Sequence, residues 1–268
     1  MKKILLAFDG TRFSMGAFEF ARHLNDLEPI LLTGVFLPQE DFFVSWSYAR
    51  GEGNSFIPPV EPFVSDKVSE NISVFETLCR QHGIDFTTHR HFRDLAMPEL
   101  KKETRFADLL ILGGKAFFEG GELSYLTDIL QDAACPVLVV PEHYNFPDHI
   151  LLAYDGSASS TFAIKQFSCL FKEFSGLKTT LVYSNNKKQP IPDLDYIEEL
   201  ASRHFSDLEI LALRLDPEKE FNTWLKQHPG GWMVCGSFSR SAFSLVFKKS
   251  FSEDVIADHI IPVFAAHK

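Results

Sequence analysis

Two acid–glycine–hydroxyl clusters hold the side chains best suited to touch a ligand. Asp9-Gly10-Thr11, followed by Ser14, closes the apolar run 4–8; Asp155-Gly156-Ser157, followed by Ser160, closes the run 150–154. A carboxylate placed there accepts hydrogen bonds from a ligand hydroxyl or N–H, while the glycine lets a ligand approach the backbone. The same residues make an equally good aspartate turn capping the following helix, and the sequence favours neither use. Two further segments, Gly113-Gly114-Lys115 and Gly236-Ser237-Phe238-Ser239-Arg240, put glycine and a cation, in the second with two serine hydroxyls, after apolar runs. Their chemistry is anion binding through N–H groups, hydroxyls and charge, although Lys115 reads better as a solvated loop lysine.

Other chemistries find little support. His89 and His91 share one face of a strand without a third ligand, and Cys79, Cys135, Cys169 and Cys235 lack paired spacing. Structural histidines and buried reduced thiols are therefore expected, and a metal is not. No GxSxG elbow, GxxxxGKS/T loop or intact GxGxxG occurs, so enzymatic turnover is not expected. Hydrophobic content of 45% with 23% charge is that of an ordinary globular chain. No apolar run reaches the roughly 20 residues of a membrane span. A net charge of −10 disfavours nucleic acid. Met1-Lys2-Lys3 leads straight into a strand without a secretory leader pattern, which makes a cytoplasmic protein the expectation.

The elements that must carry these clusters recur in one order. The segment 107–114 returns as 231–237, and 134–140 returns as 260–266, each of the latter entered through a proline, Pro136 or Pro262. The chain is therefore read as two domains, residues 1–143 with an insertion at 38–62, and residues 148–268. Apolar runs at 3–8, 29–36, 84–92, 109–112 and 137–140 alternate with helical periodicity over 14–24, 63–82, 97–106 and 125–133. In the second half, strands at 150–154, 179–183, 208–214, 232–235 and 262–266 alternate with helices at 159–174, 193–205, 217–227 and 250–258. Apolar strands separated by amphipathic helices predict α/β architecture, a doubly wound five-stranded parallel sheet in each domain. Its ligand crevice lies beyond the carboxyl ends of strands one, two and four. The 27 phenylalanines, many at helical spacing, predict an aromatic core. The insertion carries Phe42, Phe43, Trp46, Tyr48 and Phe56, and is expected to cover the first crevice or to contact another subunit.

On the two Asp-Gly-Ser/Thr openings and the closing Cys135-Pro136-Val137-Leu138-Val139-Val140, the chain resembles a tandem universal stress protein. Two UspA-type domains would fill nearly its whole length. The resemblance implies a Rossmann-like fold of the adenine nucleotide alpha hydrolase kind, a pseudo-dimer packed through the last strands, and a role in stress response or regulation. Nucleotide-binding members carry Gly, two residues, Gly, nine residues, Gly and Ser or Thr after the fourth strand. Here Gly236 keeps the first glycine, Ser239 and Lys249 replace the others, Ser250 keeps the hydroxyl, and Arg240 fits the family's run. In the first half Gly113 is followed by Ala116, and Leu123-Ser124 closes the pattern. Losing two of three glycines weakens the phosphate cradle in both halves.

The expected function is thus a non-catalytic stress-response protein with degenerate nucleotide-binding loops and no required cofactor. The alternative is a sensor of ATP, AMP or another adenine nucleotide, working mainly through Asp155, Gly156, Ser157, Gly236, Ser237, Ser239, Arg240 and Ser250. The first-half counterparts are Asp9, Gly10, Thr11, Gly113, Gly114 and Ser124. An unidentified protein partner and a homodimer complete the expected associations.

Overall fold

The computed structural model describes residues 1–8, 12–37, 66–90, 96–113, 132–184, 189–213, 224, 230–236 and 261–267. The predicted insertion, and all but single residues or edges of the predicted helices at 125–133, 217–227 and 250–258, lie outside them. The first half contains β1 (Lys2–Phe8), α1 (Met15–Leu27), β2 (Ile30–Phe36), α2 (Asp66–Gln81), β3 (Asp85–Arg90), α3 (Ala96–Thr104), β4 (Leu109–Gly113) and β5 (Val137–Val140). The second contains β6 (His149–Ala153), α4 (Ala158–Leu170), β7 (Lys178–Ser184), α5 (Leu194–His204), β8 (Asp207–Leu213), β9 (Gly231–Gly236) and β10 (Val263–Ala266).

The ten strands form one sheet in the order β3-β2-β1-β4-β5-β10-β9-β6-β7-β8. Pairing is parallel throughout each half and antiparallel only where β5 meets β10, with Leu138 opposite Phe264. β1 lies between β2 and β4, and β6 between β7 and β9, which are the switch points of the two doubly wound halves. Both Asp-Gly openings follow these central strands.

Strand alternation sorts the core into two layers. Ile4, Leu6 and Phe8 share one face with Ile111, Leu138, Trp232 and Phe264; Leu5 and Ala7 share the other with Leu110, Leu112, Met233 and Val263. Each layer runs across both halves. Trp232 sits 4.8 Å from Phe167 and Phe171, and Phe20 of α1 meets its ring edge-on at 5.0 Å. The aromatic core expected from the sequence therefore also joins the halves. Lys2 bridges the same seam, donating to Glu28 at 2.6 Å and Glu173 at 2.8 Å while its ammonium lies 5.5 Å from the Phe171 ring.

Three expectations need adjustment. Strands are not apolar throughout: β3 reads Asp-Phe-Thr-Thr-His-Arg and β8 is only partly buried, because each forms an outer edge of the sheet. The helix predicted over 159–174 ends at Leu170, and a 3-10 turn, Lys172–Phe174, follows. That break bends the chain back towards β7 while holding Phe174 5.3 Å from Trp232. Finally, Cys79, Cys135 and Cys235 are buried, but Cys169 is exposed on the outer side of α4.

Candidate functional site

The second-half turn is built from its own side chains. Gly156 adopts φ +80°, a left-handed conformation that suits glycine. Asp155 Oδ1 accepts the Ser157 N–H at 2.9 Å, and Ser157 Oγ accepts the Ser160 N–H at 3.1 Å, capping α4. The Ser160 and Thr161 hydroxyls donate to the Ser157 carbonyl at 2.9 and 3.2 Å. The turn and the helix cap weighed for this cluster are both formed.

The glycines after the fourth strands have a packing duty. A Cβ on Gly236 would lie 2.5 Å from the Ser159 carbonyl carbon and from the Ser160 nitrogen. A Cβ on Gly113 would lie 2.3 Å from Ser14 Oγ. In both halves the start of the first helix rests directly on the end of the fourth strand, and only glycine leaves room.

The two helix starts differ in register. Ser14 caps α1, accepting the Ala17 N–H at 3.3 Å. Counted from Asp9 and Asp155, Ser14 corresponds to Ser160 rather than to the capping Ser157, so α1 begins one turn later than α4. Glu142, just past β5, fills the place beside that start. Its Oε2 accepts the Ser14 hydroxyl at 2.8 Å, and its Oε1 accepts the Met15 N–H at 3.0 Å and the Gly16 N–H at 3.4 Å.

A cavity of about 700 Å³ opens between α4 and α5, lined by Gly156, Ser157, Thr161, Lys165, Asp193 and Tyr196 among others. Pro192 packs against the Gly156 turn: a Cβ on Gly156 would lie 2.8 Å from the proline ring, and the Tyr154 hydroxyl donates to the Pro192 carbonyl at 3.1 Å. Burial, then the Asp193 and Asp155 carboxylates, raise the Tyr154 pKa, so the phenol stays a donor. Asp193 takes φ +49° at the start of α5 without a side-chain cap bond, which is an uncommon conformation for a non-glycine residue. Lining the cavity are Lys165 of α4 and Asp193 at the start of α5, so it offers charge of both signs beside apolar residues that include Ile197 and Leu200.

Of the residues singled out from the sequence, Gly156 and Ser157 meet at this cavity, with Asp155 in the same turn; Gly236 lies against the other side of the α4 start. Ser237, Ser239, Arg240, Ser250, Asp9, Gly10, Thr11, Gly114 and Ser124 lie outside the described residues. Sequence reasoning missed Glu142, Lys165, Asp193 and Tyr196. None of them sits in a motif that the two copies share. His89 Nδ1 faces the Glu103 carboxylate, a structural pairing between β3 and α3. Among the described residues no three His, Cys, Asp or Glu side chains gather as a metal site, and no helix is long and apolar enough to cross a membrane.

Fold and site together define an α/β protein with a duplicated, doubly wound half and an open groove beside one switch-point turn. In sequence the chain is 23% identical to a universal stress protein of Synechocystis sp. over 284 residues, covering 98% of this chain and 99% of that one. In fold it is similar to a universal stress protein from Archaeoglobus fulgidus, with a TM-score of 0.69, 17% identity, and coverage of 100% of this chain and 96% of the other. A functionally unknown protein from Pseudomonas aeruginosa gives a TM-score of 0.52 at 13% identity, covering 100% and 92%. No protein-family model matches. The resemblance to the universal stress proteins read from the Asp-Gly-Ser/Thr openings is thus borne out along the whole chain.

Proposed function

We propose that this protein is a non-catalytic universal stress protein acting in stress response or regulation, in the cytoplasm, through contacts with a protein partner. The observation that carries this reading is the whole-length similarity to a universal stress protein. The division into domains at 1–143 and 148–268 belongs to the same reading, as does a homodimer. This reading requires no cofactor, and it is supported by Asp155, Ser157 and Gly236 serving the turn, the cap and the helix–strand contact.

A second reading is an adenine-nucleotide sensor working mainly through the second half. It is favoured by the open groove of about 700 Å³ bordered by Gly156 and Ser157. Calorimetry and thermal-shift titration with ATP, ADP, AMP and cyclic AMP, with and without magnesium, separate the two. A ligand that binds only the native state raises the melting temperature by mass action. The scaffold reading expects no shift at millimolar nucleotide; a saturable shift abolished by Ser157→Ala or Arg240→Ala would replace it with the sensor.

A further inference from the structure

We propose that Glu142 is a built-in anion that keeps the amino terminus of α1 closed to phosphate-bearing ligands in the first half. In a doubly wound sheet the start of the helix after the central strand attracts anions, because its unpaired N–H groups and the positive end of the helix dipole converge there. Here the donors at that start end on one carboxylate: the Ser14 hydroxyl at 2.8 Å, the Met15 N–H at 3.0 Å and the Gly16 N–H at 3.4 Å. A phosphate arriving from solution would compete with a carboxylate held on the same chain, at high effective concentration.

The tether is fastened on both sides of Glu142. Pro141 follows β5 directly, and a Cβ on Gly16 would lie 2.4 Å from the Pro141 carbonyl oxygen, so a glycine in α1 lets the segment approach. Beyond Glu142, the Tyr144 hydroxyl donates to the Gly16 carbonyl at 3.2 Å, and the rings of Tyr144 and Phe146 lie 5.7 and 5.1 Å from Phe20. The segment joining the halves therefore runs down α1 with its carboxylate seated at the helix start.

The device belongs to one copy of the repeat. Glu142 stands at the same step past Pro136 as Lys268 stands past Pro262, so the corresponding charge in the second copy is reversed; Lys268 lies outside the described residues. The later start of α1 adds to the asymmetry, since Ser14 offers its hydroxyl where the second half has Ser160, whose hydroxyl turns back to the Ser157 carbonyl. The inference concerns bare phosphate in the first half and does not depend on whether the second half binds a nucleotide.

The test is a titration of the full-length, 15N-labelled chain with inorganic phosphate at constant ionic strength, following the Met15 and Gly16 amide resonances. In the wild type they stay unmoved. In Glu142→Ala and Glu142→Gln they move saturably, with an apparent dissociation constant about two- to fivefold below any wild-type response, the scale of one charge at a helix terminus. Adding Ser14→Ala to Glu142→Ala removes most of that response, and the Ala158 and Ser159 amides respond alike in all variants. Circular dichroism checks folding, and if the alanine variant unfolds the glutamine variant decides. Wild-type Met15 and Gly16 amides that saturate at the variants' phosphate concentration, or folded variants in which they stay unmoved, overturn the proposal.

Discussion

Gly236→Ala separates a glycine kept for packing from one kept for a ligand. The added methyl would lie 2.5 Å from two backbone atoms of the first turn of α4 and 2.9 Å from the Ser159 Cβ. Ordinary contact starts at 3.4 Å, so the helix start or β9 must retreat by about 1 Å. The first turn cannot yield by rotating a side chain, since it is pinned by the Asp155–Ser157 and Ser157–Ser160 hydrogen bonds. Overpacking of this kind costs about 1–3 kcal/mol, and disturbing the cap adds about 1 kcal/mol. The expected fall in melting temperature is roughly 5–12 °C in protein without ligand, read by circular dichroism. Gly176→Ala is the control: nothing lies within 4 Å of its Cβ and its φ is not positive, so it melts within about 1 °C of the wild type or slightly above. If Gly236→Ala melted with the control and lost only nucleotide binding, the packing argument would be wrong.

Two more perturbations probe the seam and the thiols. Phe20→Ala removes a fully buried ring that meets Trp232 at 5.0 Å, and is expected to lower stability by about 3–5 kcal/mol in urea unfolding. Trp232 emission should shift to the red in the same variant when Trp46 and Trp224 are replaced by Phe. Burial pushes the Cys79 and Cys135 thiols up from 9.0 to about 12, and Cys235 well above 9.0, so native protein should present only Cys169 to a disulfide reagent until denaturant exposes the rest. These raised values stabilise the native state fully below pH 9.0, and that contribution is lost as the pH rises towards 12, because the unfolded thiols ionise first. The urea midpoint should fall over that range, less steeply in Cys135→Ala.

The ten strands were legible because central parallel strands must be apolar on both faces, as Ile4–Phe8 and Leu109–Leu112 are. Edge strands β3 and β8 obey that rule only in part, and their polar residues mark where the sheet stops. The end of α4 at Leu170 was not legible: Phe167, Phe171 and Phe174 keep a helical spacing through the break, since all three serve the same tryptophan. At the site, the Asp155-Gly156-Ser157 turn could be read from residue types because its bonds are local. Asp193 and Lys165 could not, because they reach the cavity from separate helices whose packing no short motif records. Glu142 was hidden for a similar reason, as its partners at Ser14, Met15 and Gly16 are brought to it only by the sheet.

Gly113 and Gly236, one in each copy, are accounted for by helix starts that rest on strand ends. What distinguishes the copies is the space around each helix start. In the first, a linker carboxylate takes the Ser14, Met15 and Gly16 donors; in the second, the turn is self-capped and borders a cavity with Lys165 and Asp193 at its walls. Of the two helix starts that follow the central strands, the proposed linker carboxylate leaves the one at α4 to respond to a solute. A ligand-driven switch at these two helix starts should therefore act through the β6–α4 turn.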